Sequence, residues 1–329
     1  MRKTFSFDEL LEVYFFTRTL REATRWSYEK NVRTFLAFNN VKPAQVTEDM
    51  VLSWKEQVLG VQQLATRTWN SKVRHLQALM NFAMARKLVP QKQNPFNGAL
   101  VKEGKKRKKT ITNTHINRTL TRLKLLCEEE AAGKMPLYGR PNALQPCWFW
   151  MAVIQLLDTT GIRLNQLLHI RLMDVKLDDG IIELESNGCK NHNEHRVPII
   201  EELRPWLVRV LDESRQRHVL PDAQLFNVGR FVPRLRKKYP EKMTEAPLRS
   251  FFRRLSKMMN YTATPHRFRH TVATNLMKSP DRNIKHVQNL LGHSSLQSTM
   301  EYIEDDTAFL GDVMQEEIQR RRGEKDTKG

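Results

Sequence analysis

Thr264-Pro265-His266-Arg267-Phe268-Arg269-His270-Thr271 sets two guanidiniums and two imidazoles into what reads as a single helix start. Proline is pre-organised for the first helical position, with Thr264 before it. The cations therefore fall in the first turn, where the helix dipole is already positive. That arrangement opposes the dipole, and an anion docked there would offset the cost. Spacing of i to i+3 places His266 and Arg269 on one face. Phe268 points elsewhere, toward a core that it shares with Val272.

On either side of this stretch lie further short polar motifs. Upstream, Thr159-Thr160-Gly161-Ile162-Arg163 reads as a helix end, a turn at Gly161 and a guanidinium at the start of a new helix, predicted over 163–171. A guanidinium beside helix N-terminal amides suits an anion. Two strand-like runs follow, 181–185 and 196–200, joined by the polar turn Ser186 to His195 that carries Lys190. Downstream, Leu290-Leu291-Gly292-His293 ends a helix at a glycine suited to the left-handed cap, which fixes His293 at a loop edge. Tyr302 lies shortly after. Taken singly, these read as a surface arginine, a basic helix terminus, an ordinary loop histidine and a core tyrosine. Together they describe a pocket able to hold a phosphodiester.

The first hundred residues read as helices only. Leu10, Leu11, Tyr14 and Phe15 keep helical spacing, as do Tyr28, Val32, Phe35 and Leu36. Thr47 is the expected N-cap of a third helix. A longer helix runs from about Thr66 to Arg86, with Val73, Leu76, Leu79, Met80 and Ala83 on one face and Arg67, Lys72, Arg74 and His75 on the other. That basic face fits a solvated surface and a DNA groove equally well. Pro90 and Pro95 end the pattern. A run with Lys105, Lys106, Arg107, Lys108 and Lys109 follows, either an extended spacer or a strap across phosphates. Further helices are expected at about 113–132, 146–160, 201–218, 246–259, 267–277, 283–291 and 307–321.

The 329 residues suffice for two domains, and the net charge of +19 favours a polyanionic partner. Residues 1–110 hold 21 Lys and Arg against 9 Asp and Glu, so the first third is the more basic part. No apolar run is long enough to span a membrane, and the first residues lack a secretory pattern. Three scattered cysteines, Cys127, Cys147 and Cys189, argue against a disulfide framework or structural zinc and fit a reducing cytoplasm.

Thr160-Gly161-Ile162-Arg163, Lys190, His266-Arg267-Phe268-Arg269-His270, Leu291-Gly292-His293 and Tyr302 resemble, in order and spacing, the tyrosine recombinase (phage integrase) family. That family carries T-G-x-R, a hairpin lysine, H-x-x-R-H, L-G-H and a nucleophilic tyrosine. The resemblance implies a mainly α fold with a small antiparallel β-sheet. Its parts would be a helical core-DNA-binding (SAM-like) bundle at 1–100, a basic linker at 101–110 and a mixed α/β catalytic domain at 111–329.

It also implies roles. Tyr302 would attack a backbone phosphorus to form a 3′-phosphotyrosine, while Arg163 and Arg269 clamp the non-bridging oxygens. Lys190 would protonate the leaving 5′ oxygen. His266 would act as base or hydrogen-bond partner toward Tyr302, and His293 as a donor to the phosphate. No cofactor, metal or ATP is expected. The implied partners are double-stranded DNA with specific core sites, a homotetramer on two duplexes, and DNA-bending accessory proteins. The implied location is the cytoplasm, at the nucleoid. The segment 309–318 is expected to dock on a neighbouring protomer or on its own domain.

One position departs from the pattern. Gln166 stands where the family usually has an acid, which keeps hydrogen bonding but loses an ion pair. Slower or more finely regulated cleavage is expected, with Gln166→Glu raising the rate. Two other readings remain open: a catalytically degenerate DNA-binding regulator, and a DNA-relaxing enzyme like the type IB topoisomerases.

Overall fold

In the computed structural model the chain divides into two compact units, residues 1–106 and 107–329. The structure describes residues 4–104, 109–134, 142–185, 195–278, 283–292, 295–300, 314–315 and 317–319.

The first unit comprises α1 (Phe7–Phe16), α2 (Glu22–Asn39), α3 (Glu48–Glu56), which runs on into a π-helical turn at Gln57–Val61, and α4 (Thr66–Ala85). Local chemistry sets the ends. Ser6 accepts from the Glu9 amide while the Glu9 carboxylate accepts from Ser6, a reciprocal cap on α1. Thr47 accepts from the Met50 amide at 3.3 Å. Between the helices, Phe35, Trp54, Trp69 and Phe96 meet edge to face, with Phe35–Trp54 centroids 5.1 Å apart and Trp54–Trp69 5.0 Å apart. Burying each such ring contributes about 1.5–3 kcal/mol.

The second unit comprises α5 (Asn113–Ala131), α6 (Cys147–Thr160), α7 (Leu164–Leu167), β1 (Val175–Lys176), β2 (Ile181–Leu184), β3 (His195–Pro198), α8 (Arg204–Arg215), α9 (Pro233–Arg236), α10 (Glu245–Met259), α11 (Pro265–Met277), α12 (Ile284–Leu291) and α13 (Leu296–Met300). Its central helix is α6, apolar nearly all round and packed by α5, α8 and α11. Trp150 stacks on Phe251 of α10 with centroids 4.3 Å apart. The sheet is antiparallel in the order β1-β2-β3, with buried Ile182 opposite Val197 and Leu184 opposite His195. Ile111 donates its backbone N–H to Thr271 Oγ1 at 2.8 Å, which ties the chain ahead of α5 to α11.

Two expectations need correction. The helix expected over 163–171 ends at Leu167, because residues 170–173 bond to a distant segment. Leu225 donates to the Ile170 carbonyl, Leu172 donates to that of Ala223, and Met173 to that of Pro221. The sheet has three strands rather than two, since Val175–Lys176 pairs with Ile181–Ile182. Of the helix expected over 307–321, only 314–315 and 317–319 are described, and these are helical, with Met314 and Ile318 exposed. No described helix is long and apolar enough to cross a membrane.

Candidate active site

Both glycines expected to terminate helices do so in the left-handed region. Gly161 closes α6 at φ 61° and Gly292 closes α12 at φ 59°. A β-carbon at Gly161 would also lie 3.1 Å from Val272 Cβ. These caps turn the last carbonyls of α6 and α12 toward the N-terminal half of α11.

Two guanidiniums meet at those carbonyls. Arg269 is 4% exposed; it donates through Nη1 to the Gly161 carbonyl and through Nη2 to the Leu291 carbonyl, each at 2.8 Å. Arg163, the N-cap residue of α7, donates through Nη1 to the Gly292 carbonyl at 3.0 Å and to that of Leu291 at 3.4 Å. The Leu291 carbonyl thus receives both side chains. The final carbonyls of a helix lack intrahelical donors and carry partial negative charge. They anchor the guanidiniums without neutralising them.

Thr264 caps α11 by accepting from the Arg267 amide at 3.2 Å, and Phe268 is fully buried. His266 is exposed, with its ring centroid 4.0 Å from that of buried His270. Gln166, 1% exposed, accepts from the Arg163 backbone N–H at 2.8 Å. Its amide nitrogen lies 3.5 Å from His195 Nδ1. Burial, with Arg163 and then Arg269, pushes the His195 imidazole down to about 4, so the ring is neutral at physiological pH.

His195 escaped the sequence reading, which treated it as the end of a polar turn. Strand alternation carries the signal. His195 and Val197 fall on one face of β3, and Val197 is fully buried. Of the six residues expected to act in chemistry, the structure brings Arg163 and Arg269 together and places His266 one turn before Arg269. Lys190, His293 and Tyr302 lie outside the described residues.

Among the residues expected to contact DNA, Arg67 and Arg74 are exposed and both reach Glu103, at 4.0 and 3.5 Å. Glu103 is held in turn by Asn70, which donates to it at 2.8 Å and to the Val101 carbonyl at 2.7 Å. Lys72 requires a correction: it is 7% exposed rather than on the solvent face. Its ammonium donates to Thr34 Oγ1 at 3.1 Å and lies 5.7 Å from the Trp54 ring centroid. Burial, then Lys30, holds its pKa below the usual lysine value. Lys109 is exposed; Lys105, Lys106, Arg107 and Lys108 lie outside the described residues.

The sequence profile of the phage integrase family matches residues 145–308, a span that includes Arg163, Lys190, His266, Arg269, His293 and Tyr302. A Pseudomonas aeruginosa protein named "Putative tyrosine recombinase XerC" is 36% identical over 304 residues, covering 91% of this chain and 69% of that protein. A Pseudomonas syringae protein of the same name is 34% identical over 320 residues, covering 97% of this chain and 66% of that one. The chain therefore spans about two thirds of the length of these relatives. Among solved structures, the Tn1549 transposon integrase in complex with a circular intermediate DNA has a TM-score of 0.70 at 19% identity, covering 97% of this chain and 100% of that one. A lambda integrase dimer bound to a core site has a TM-score of 0.65 at 16% identity, covering 92% of this chain and 96% of that one. At such identities the likeness is one of fold. The sequence matches go further, and on them the chain belongs to the tyrosine recombinase (phage integrase) family.

Proposed function

We propose that the protein is a site-specific DNA recombinase that cuts and rejoins double-stranded DNA through a 3′-phosphotyrosine intermediate, without metal or ATP. The observation that carries this reading is the meeting of Arg163 and Arg269 at the Leu291 carbonyl, two positions before His293 in the sequence. Planar guanidinium forks match the non-bridging oxygens of a phosphodiester. Charge that builds on those oxygens in the transition state is stabilised by cations already fixed in place. Tyr302 is the nucleophile, Lys190 the acid for the leaving 5′ oxygen, His266 the partner of the phenol and His293 a donor to the phosphate.

The covalent bond conserves the phosphodiester energy, and a 5′-hydroxyl from a second duplex completes exchange. Arg67 and Arg74 of the first unit and the basic residues 105–109 grip the duplex. Four protomers act on two duplexes carrying core sites, with DNA-bending proteins as accessory partners. A lambda integrase tetramer bound to a Holliday junction has a TM-score of 0.65 at 14% identity, which is a likeness of fold compatible with such an assembly. The setting is the bacterial cytoplasm, at the nucleoid.

Nicked duplexes tiled across the DNA flanking the gene test this reading. A covalent protein–DNA adduct is expected on one of them and none with Tyr302→Phe. Binding without an adduct would point instead to the degenerate regulator that Gln166 suggests. Adduct and relaxation without joined recombinant strands would point to a relaxing enzyme.

A further inference from the structure

Arg163, Gln166, His195 and Gly292 form a closed circuit. The Arg163 backbone N–H donates to Gln166 Oε1 at 2.8 Å, and Gln166 Nε2 faces His195 Nδ1 at 3.5 Å. The His195 ring lies flush on Gly292, where a β-carbon would come within 2.9 Å of its Cε1. Arg163 Nη1 then donates to the Gly292 carbonyl at 3.0 Å and closes the loop. Three elements distant in sequence, α7, β3 and the end of α12, meet in it.

The circuit favours one tautomer. With Gln166 Oε1 accepting from Arg163, the other end of the amide can only donate, so His195 Nδ1 accepts and the ring proton belongs on Nε2. Among the described residues, the charged groups that face the ring are Arg163, at the start of α7, and Arg269, on α11. A proton on Nδ1 would remove the acceptor and put a third cation between two guanidiniums.

We propose that His195 is a positioning residue for the strand-cleavage reaction: as a neutral imidazole wedged between Gln166 and Gly292, it holds the α12 turn to which both guanidiniums are anchored. His195 does not touch the phosphate. It acts through the Leu291 and Gly292 carbonyls, which set where Arg163 and Arg269 point. In this chain a neutral amide and a neutral ring support the site. The inference rests on the proposed cleavage activity.

The test uses the full chain and the nicked duplex that gives an adduct. His195→Ala is expected to slow adduct formation at saturating DNA by about 10²-fold, as misplacement of a catalytic group by an ångström does. DNA affinity should stay within about threefold, because the phosphate contacts that dominate binding are untouched. His195→Asn supplies a neutral amide near the Nδ1 position and should recover most of the rate. In the wild type, the His195 ring signals in a proton NMR titration should stay those of a neutral imidazole down to pH 5. Equal adduct rates for wild type and His195→Ala would overturn the proposal, as would a His195 ring that titrates at the ordinary histidine value. Should His195→Ala fail to fold, His195→Asn and the titration still decide it. A wild type that binds DNA and forms no adduct would remove the cleavage reading itself, an outcome separate from either of these.

Discussion

Arg67 and Arg74 in the first unit share a carboxylate, whereas Arg163 and Arg269 in the second share a helix-end carbonyl. The first pair is exposed on one face of α4. Glu103 cancels part of its charge, and water screens the rest. The second pair is drawn inward and donates to the uncharged carbonyls of Gly161, Leu291 and Gly292. The acids differ in the same sense. The Glu103 carboxyl is held below the usual range by the Asn70 amide, then by Arg74 and Arg67. Asp158, near the end of α6, is pushed up to about 6 by burial. A surface that binds a long polyanion works with many weak, adjustable charges. A site that stabilises one transition state needs few charges in fixed places.

Arg269→Lys cuts deepest into this contrast. An ammonium cannot span the Gly161 and Leu291 carbonyls as the planar fork does. Adduct formation on nicked DNA should fall by about 10²–10³-fold, the usual cost of losing one such donor. DNA affinity should change little. If the lysine variant cleaves at the parental rate, the carbonyl anchorage has no role in catalysis.

Asp158 provides a stability measurement. The folded chain keeps its proton up to about pH 6, while the unfolded chain releases it near 3.8. The native state therefore binds more protons across that window, and stability falls as pH rises through it. Asp158→Asn should unfold in urea with about 1–2 kcal/mol greater stability than the parent at pH 7.5, and the difference should vanish below about pH 4. A difference that did not vary with pH would assign the effect to packing.

Glu103→Gln should have the mildest effect. Releasing Arg67 and Arg74 should tighten DNA binding by about threefold at low salt and steepen the salt dependence by about one unit, as one more neutralised phosphate would. Fluorescence anisotropy across a salt series reads both quantities. Unchanged slopes would take these two arginines out of the DNA interface.

Much of the fold was legible because helix ends are written locally. Thr47, Thr264, Gly161 and Gly292 cap the helices that their residue types announce. Two differences have opposite causes, one local and one long-range. Lys72 lies three residues after Trp69 and four before Leu76, so helical period alone puts it on the buried face; its charge argued the other way. Its stem packs beside Trp54 while its ammonium finds Thr34. The helix predicted through Arg171 stops early because the 221–225 segment claims backbone groups at residues 170, 172 and 173, a competitor invisible to a local window.

The sequence by itself determined the kinds of side chain available, their order along the chain, the caps at helix ends such as Thr47, Thr264, Gly161 and Gly292, and the family whose motifs they match. These signals act within a turn or two of backbone, so a single chain displays them. The tertiary structure alone decided that Arg163 and Arg269 converge on one carbonyl, that His195 stands neutral beside them, and that the Lys72 ammonium meets Thr34 and Trp54. Each of those outcomes depends on α6, α11, α12 and β3, or on α2, α3 and α4, packing at particular distances, and no local pattern of residues encodes a distance between segments that the chain brings together only on folding.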